Sequence, residues 1–496
     1  MLIIMQKNNV LWANQIAPPK ENSFLHAGWE DKLSLACYSF TKTNKRKLES
    51  TDEELISACR WLIEGLYQSY CSLPELPLAI PKSTNAFSAA HPFAPPFGSR
   101  LTRDVVNAAI EAGLAKEDLG YYRPDGNGRV SRYTPINAIR RHFFELGYRW
   151  QRIEPPAPAK SIIIALKPKG KDRKIAELAD HKNVKKMRSN LRTINTFLAK
   201  QCILIDLPDE ILTNGINTDH SEPQSSSSFD PPELSSRSVN FQNVFLHRVF
   251  SQSFDQGGRF YGGWWQHIKS DLRARVLING EQTVECDFSS MAIRMLYAKE
   301  KVDPVKGDLY DLGLTYRNDP VQSRKLVKAF VLAVLNDKEK TFRLSQPNLQ
   351  FLGTTHNELF SALCKKHLEI KHYFYSGIGL KLQYIDAQIA EQVMLDFISR
   401  GEVCLPVHDS FLVRRGLESL LKEIMLKAFN NFLGSNAKVD AEVGYEGVSL
   451  GKVSELGPTL NPLDSISKHI DDYSIMRSLL SSWELTNSSS YELHDH

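Results

Sequence analysis

Thr283-Val-Glu-Cys-Asp-Phe-Ser-Ser-Met-Ala-Ile-Arg-Met-Leu-Tyr-Ala298 holds the pattern on which the fold turns. Residues 283 to 286 suit a strand, and a helical pattern starts with the serines after Asp287, so this acid stands where a strand hands over to a helix. A second acid has a similar place. Val403-Cys-Leu-Pro-Val-His-Asp-Ser-Phe-Leu-Val413 reads as two short apolar strands flanking His408-Asp409 at a tight turn. Two aspartates presented at strand ends can sit side by side and hold hard divalent cations, which prefer carboxylate oxygen. Two such ions, about 3.5–4 Å apart, clamp the attacking and leaving oxygens of a phosphoryl transfer. Each acid taken singly has a plainer reading, as a helix cap or a turn residue.

Two further stretches bear on the same chemistry. Val321-Gln-Ser-Arg-Lys-Leu-Val-Lys-Ala-Phe-Val-Leu-Ala-Val-Leu335 is a helix whose later turns are apolar nearly all round, the mark of burial. Arg324 and Lys328, four apart, share one face of it. Cations leading into a buried helix need an anionic partner. The partner is either an acidic side chain or a nucleoside triphosphate that the two cations straddle. Upstream, Ser253-Phe-Asp-Gln-Gly-Gly-Arg-Phe-Tyr-Gly-Gly-Trp-Trp-Gln266 sets glycines for close backbone approach beside Arg259. Tyr261, Trp264 and Trp265 there are either surfaces for a base or core packing at a sharp turn.

The order of these pieces resembles a known superfamily. Asp255-x-x-Gly258-Arg259-x-Tyr261, then Asp287-Phe-Ser, then Arg324-x-x-x-Lys328, then His408-Asp409-Ser410-Phe411 is similar to the successive motifs of the phage and mitochondrial single-subunit RNA polymerases. The family-A DNA polymerases share the last three, and Asp287-Phe-Ser-Ser-Met-Ala-Ile-Arg294 is similar to their Asp-Tyr-Ser-Gln-Ile-Glu-Leu-Arg. The resemblance covers roughly residues 240 to 450. It implies an α/β (α+β) right-hand polymerase with a palm, reduced fingers and a mainly helical N-terminal region.

It also implies roles. Asp287 and Asp409 would bind two Mg2+ ions. Arg324 and Lys328 would hold the incoming triphosphate, with Lys328 the proton donor to pyrophosphate. Asp255, Arg259 and Tyr261 would lie along the template or the new duplex, and His408 would support the primer end. Ala292 stands where the DNA polymerases carry a Glu that blocks a ribose 2′-hydroxyl, so ribonucleotides are expected. Asn336 occupies the place of the motif-B tyrosine that reads this hydroxyl in the RNA polymerases, and Ser410 that of the DNA polymerases' Glu. The 122 residues from Asp287 to Asp409 are few for the family, hence the reduced fingers.

Composition bounds the rest. The 496 residues are 42% hydrophobic and 24% charged, which excludes fibrous, wholly disordered and multi-spanning membrane classes. No stretch approaches the roughly 20 apolar residues of a membrane helix, and the opening Met1-Leu-Ile-Ile-Met5 is too short for a signal peptide, so a cytoplasmic protein is expected. Seven scattered cysteines without a CxxC pair suggest neither a disulfide framework nor a thiolate zinc site. The net charge is only +4, but between Lys160 and Arg192 eleven Lys/Arg face three acids. Such a block is a solvated face or a contact to a phosphate backbone.

The expected division is a helical N-terminal region over 1–85, a winged-helix-like module over 86–150, and a basic helical region over 151–218. A Ser/Pro-rich loop over 219–239, palm and fingers over 240–455, and a peripheral helix with a tail over 456–496 complete it. The preferred function is a transferase that makes RNA, primers included, on a DNA template from nucleoside triphosphates. A family-A-type DNA polymerase is the near alternative. A nucleic-acid-binding protein with a non-catalytic palm is the alternative of another class; a relic has no physical reason to keep both acids and the Arg/Lys pair together. A nuclease would need paired acids too, but not the Arg324/Lys328 helix.

Overall fold

From Val284 to Phe288 every second side chain is buried. Val284, Cys286 and Phe288 point to one face, while Glu285 and Asp287 stand half-buried on the other, the alternation of a strand with one face on a core. The computed structural model describes residues 11–12, 29–43, 50–72, 77–80, 97–121, 130–146, 164–167, 182–207, 244–251, 253–268, 270–316 and 318–442. The loop expected over 219–239 and the helix and tail over 456–496 lie outside these. The architecture is mixed α+β. Among the described residues no helix is long and apolar enough to cross a membrane.

The first part runs β1 (Leu11–Trp12), α1 (Trp29–Thr43), α2 (Asp52–Ser72), β2 (Leu78–Ala79), α3 (Ser99–Glu111), β3 (Ala115–Asp118), β4 (Arg132–Pro135) and α4 (Asn137–Leu146). Its strands form one sheet in the order β1-β2-β4-β3. A single core holding Leu33, Leu62, Val105, Tyr133, Ile139 and Phe143 joins helices to sheet. β2, before residue 85, pairs with β4, after it, so the described strands of the expected regions 1–85 and 86–150 share one sheet and core. The segment between β3 and β4 that carries Arg123 and Arg129 lies outside the described residues.

The second part begins with β5 (Ile164–Lys167), α5 (Lys182–Leu198) and β6 (Ile203–Ile205). The expected basic helical region over 151–218 thus holds two short strands beside α5. The short apolar runs Ile164-Ala-Leu166 and Ile203-Leu-Ile205 are overshadowed by cations in the sequence, yet each finds a strand partner. Next come β7 (His247–Ser251), β8 (Ser253–Tyr261), β9 (Val276–Ile278) and β10 (Glu281–Phe288), then α6 (Met291–Glu300), α7 (Pro320–Asn336), α8 (Gln346–Leu352) and α9 (His356–Lys366). The last elements are α10 (Gly379–Ile398), β11 (Leu405–Val407), β12 (Ser410–Arg414), α11 (Glu418–Leu433) and β13 (Val439–Glu442). Strands β5, β7 and β8 make a small sheet, and β11-β12-β10-β9-β6 make the central one, with β13 also against β10.

Local chemistry explains the helices that matter. α7 starts at Asp319, whose carboxylate accepts the Gln322 N–H at 2.6 Å, with Pro320 at the first turn. It buries Leu326, Val327, Phe330, Val331 and Val334. Strand β8 bulges against β7 near Phe250. Gly258 there has φ +83 and an added Cβ would lie 2.4 Å from the Phe250 ring, so only glycine fits. Cys37, Cys59, Cys202, Cys286 and Cys404 are buried and unbridged.

Two polar ties fix α5 to this framework. Arg248 on β7 is fully buried; it donates to the Gly258 carbonyl at 2.7 Å and to Glu391 of α10 at 2.6 Å. Glu391 in turn accepts from Asn190 of α5 at 2.6 Å. One turn on, the buried Asn195 side chain closes a two-way bridge with Leu246, donating to its carbonyl at 2.9 Å and accepting its N–H at 2.8 Å.

Asn195→Ala removes both partners of a buried backbone unit. Each orphaned group costs about 1–3 kcal/mol, so a loss of about 2–6 kcal/mol is expected. Urea unfolding midpoints of wild type and variant measure it, and a shift worth under about 1 kcal/mol contradicts the account.

Candidate active site

The central hairpin sets the site. β10 and β12 pair antiparallel with Asp287 opposite Ser410, and the Phe288 N–H donates to the Asp409 carbonyl at 3.3 Å. The two aspartates predicted from sequence are thus neighbours at one end of the sheet. The turn between β11 and β12 is His408-Asp409, with His408 at φ 57. On the other side of β10, Asp287 is opposite Asp440 of β13, a third carboxylate that the sequence reading did not single out. Ser410 does not stand idle in place of an acid: its hydroxyl lies within hydrogen-bond reach of Glu285 and of the Val407 carbonyl.

These oxygen donors fit magnesium. Mg2+ is held by one or two carboxylates while water and substrate phosphates complete its shell. Among the described residues no closed group of three metal-binding side chains stands ready, and an ion of this kind does not require one.

The aromatic-glycine stretch divides in two. Trp264 and Trp265 are buried; Trp265 Nε1 donates to the Pro406 carbonyl at 3.1 Å, as Gln266 Nε2 does at 3.0 Å. They are core, and they brace the strand leading to His408. Tyr261 does reach the site, its ring 6.3 Å from that of His408, edge to face. Arg259 donates to Asp386 of α10 at 2.7 Å. Arg259, Phe260, Asp386, Pro406 and His408 line a small cleft. Asp255 is not part of it. It is exposed and takes a hydrogen bond from Ser253.

On α7, Arg324 has an acidic partner. Asp308, in the loop after α6, accepts from Nε at 2.6 Å and from Nη2 at 3.1 Å. The guanidinium stands 5.4 Å from the Tyr310 ring centre. Lys328 is half-buried one turn further on, and Ala292 is half-buried in the first turn of α6. The Asn336 amide donates to the Leu332 carbonyl at 2.9 Å, and its Oδ1 fills the space where a Cβ on Gly379 would stand. The reason is packing, since α10 crosses the end of α7 here and only glycine lets it approach.

Tyr310 and Asp386 were missed, for different reasons. Tyr310 sits in a turn-rich loop between Gly307 and Gly313 with no periodicity to mark it. Its phenol is buried; burial raises its pKa, and the charge of Asp409 adds to the rise. Asp386 could have been found: it is an acid on the buried side of an apolar helix, and Asp is almost never buried unless paired.

The cleft holds groups that titrate in opposite senses. Burial pushes the Asp386 carboxyl up to about 6; Arg259 draws it down, and the like charge of Asp409 adds to the rise. Removal from water and then the Arg259 guanidinium bring the His408 imidazole down to about 4, against the pull of Asp409. His408 is exposed at the tip of the turn, so solvent screens part of that depression. A carboxyl raised from 3.8 stabilises the fold below that value and loses the contribution as pH rises through about 6. An imidazole lowered from 6.5 stabilises above 6.5 and loses its contribution as pH falls toward 4.

Between pH 4 and 6.5 these two slopes oppose. Asp386→Asn removes the first, so stability should climb with pH more steeply than in wild type; His408→Gln should tilt it the other way. Urea midpoints at pH 4.5 and 6.5 test this, and parallel pH dependence in all three proteins refutes the opposed titration.

No protein-family model matches the chain, and no curated protein does. Among solved structures it is similar, with 10% identity and a TM-score of 0.28, to the POL domain of Pol1 from M. smegmatis in complex with DNA primer-template and dNTP. That match spans 86% of this chain and 66% of the other.

Proposed function

We propose that the chain is a template-directed nucleotidyltransferase that extends RNA on a DNA template from nucleoside triphosphates. The observation that carries this reading is Tyr310. Its phenol is buried close enough to Asp409 for that charge to raise its pKa, while its ring lies 5.4 Å from the Arg324 guanidinium. One side chain therefore spans from the strand-end acids to the cation suited to phosphate.

In this reading Arg324 and Lys328 receive the triphosphate, and Lys328, an ammonium with three donors, hands a proton to the departing pyrophosphate. Asp287 and Asp409 would hold two magnesium ions, which when bound activate the 3′-hydroxyl and neutralise charge on the phosphates. The chain's own part is position and charge for an in-line displacement. His408 and Tyr261 would steady the primer end, and Arg259, braced by Asp386, would line the path of the nucleic acid. Asp255 has the weakest support, lying apart from the others.

Ala292 leaves room for a ribose 2′-hydroxyl and supports ribonucleotide use. A second reading, a DNA polymerase of family-A type, is favoured by Asn336: one of its amide N–H groups is taken by the Leu332 carbonyl, which weakens it as the 2′-hydroxyl partner that a deoxynucleotide would leave unpaired.

Extension of a labelled primer on single-stranded DNA with magnesium and either NTPs or dNTPs tests both. Asp287→Ala and Asp409→Ala should each abolish addition while template binding persists, and Ala292→Glu should shift use toward dNTPs. Full activity in either alanine variant overturns the assignment; a wild type that uses dNTPs and excludes NTPs promotes the second reading.

The basic segment supplies an independent test. Lys185, Lys186 and Arg192 are exposed on α5 and Arg188 is half-buried, while Val184, Met187, Leu191 and Ile194 face the core. If all four cations meet phosphates, replacing them with Gln should lower the logarithmic salt slope of DNA binding by about 3, at roughly 0.7–0.9 per contact. An unchanged slope makes this a solvated face.

A further inference from the structure

Arg324 is held more firmly than a helix-surface arginine needs to be. Asp308 takes one edge of its fork through Nε and Nη2. The same carboxylate is fixed from behind, because Oδ1 accepts the Tyr310 backbone N–H at 3.1 Å. Tyr310 also sets its ring beneath the guanidinium, 5.4 Å away. Three restraints thus come from Asp308-Leu-Tyr310, and the Nη1 edge is the one they leave for an anion. The arginine side chain remains 49% exposed, so an anion has access.

Tyr310 is in turn immobile. It is 3% exposed. Nothing in the active-site reading requires Asp308, since Arg324 is a cation whatever stands beside it.

We infer that Asp308, seated on Tyr310, is a positioning residue that aims the open edge of Arg324 at the phosphates of the incoming nucleotide. The inference rests on the nucleotidyltransferase reading and deepens it. Two effects of Asp308 compete. Its charge reduces the positive potential that a triphosphate meets, which weakens binding. Its hydrogen bonds freeze a long, rotamer-rich side chain before the ligand arrives, which strengthens binding. Arg324 is half-exposed, and water screens the first effect. The second depends on geometry and is not screened, so positioning prevails.

The test is steady-state primer extension with ATP opposite template dT, comparing wild type, Asp308→Asn and Asp308→Ala. Asp308→Ala should raise KM for ATP about tenfold and leave kcat within about twofold. Asp308→Asn keeps an oxygen for the Tyr310 N–H and for one arginine N–H, so it should lie between the two. The conservative variant also guards against misfolding, which unfolding midpoints of all three proteins check directly. A lower KM in Asp308→Ala makes Asp308 a competitor of the nucleotide and overturns the inference, as does an unchanged KM or a fall in kcat alone. The rise in Tm caused by ATP with magnesium is measured in parallel. If wild type adds no nucleotide, the polymerase reading fails; the clamp then stands only if ATP protection is weaker in Asp308→Ala than in wild type, and falls if it is the same.

Discussion

The pairing register of β10 and β12 is the constraint on which the rest depends. Asp287 opposite Ser410 and Cys286 opposite Phe411 put Val284, Cys286, Phe288, Phe411 and Val413 into the core. A slip of β10 by one residue would turn Val284, Cys286 and Phe288 to the other face and bring Glu285 and Asp287 into the core. The burial of the apolar face thus holds the acids where they are. The two-residue turn at His408-Asp409 then leaves no freedom in where the second aspartate emerges.

Around that hairpin the charges are arranged in a chain. Arg259 lies between Asp386 and the field of Asp409, and Arg324 between Asp308 and the field of Asp440. Each arginine thus has one carboxylate in hydrogen-bond contact and feels a second near the end of the central sheet. In each pair the arginine's partner comes from outside the sheet, from α10 or from the loop after α6. The sheet offers acids and the elements packed on it bring the cations, so the site exists only when these layers are assembled.

What the sequence made legible follows from periodicity and punctuation. The strand-to-helix passage at Asp287, the His408-Asp409 turn and the helix over 321–335 all carry local patterns, and each is present where the pattern put it. What stayed hidden is what no local pattern records. Arg324 announced that it needed an anion, but Asp308 lies 16 residues upstream in a loop. Arg259 and Asp386 are 127 residues apart. Asn336 was placed by alignment to a motif, whereas its side chain is decided by Gly379, a residue of another helix. Strands β5 and β6 were lost in a segment whose cations dominated its reading.

The buried link from Asn190 through Glu391 to Arg248 bears on how this molecule could have diverged. One Nη2 of Arg248 is buried without a hydrogen-bond partner, so the link is already under strain of solvation. Removing either charged member strands the other in the interior, at about 3–5 kcal/mol, whereas exchanging both for apolar side chains of like volume is often neutral. The region therefore tolerates paired replacement and resists single steps. Descendants of this chain would keep the arginine and the glutamate together or lose them together, a linked inheritance set by the dielectric of the interior rather than by any chemistry at the site.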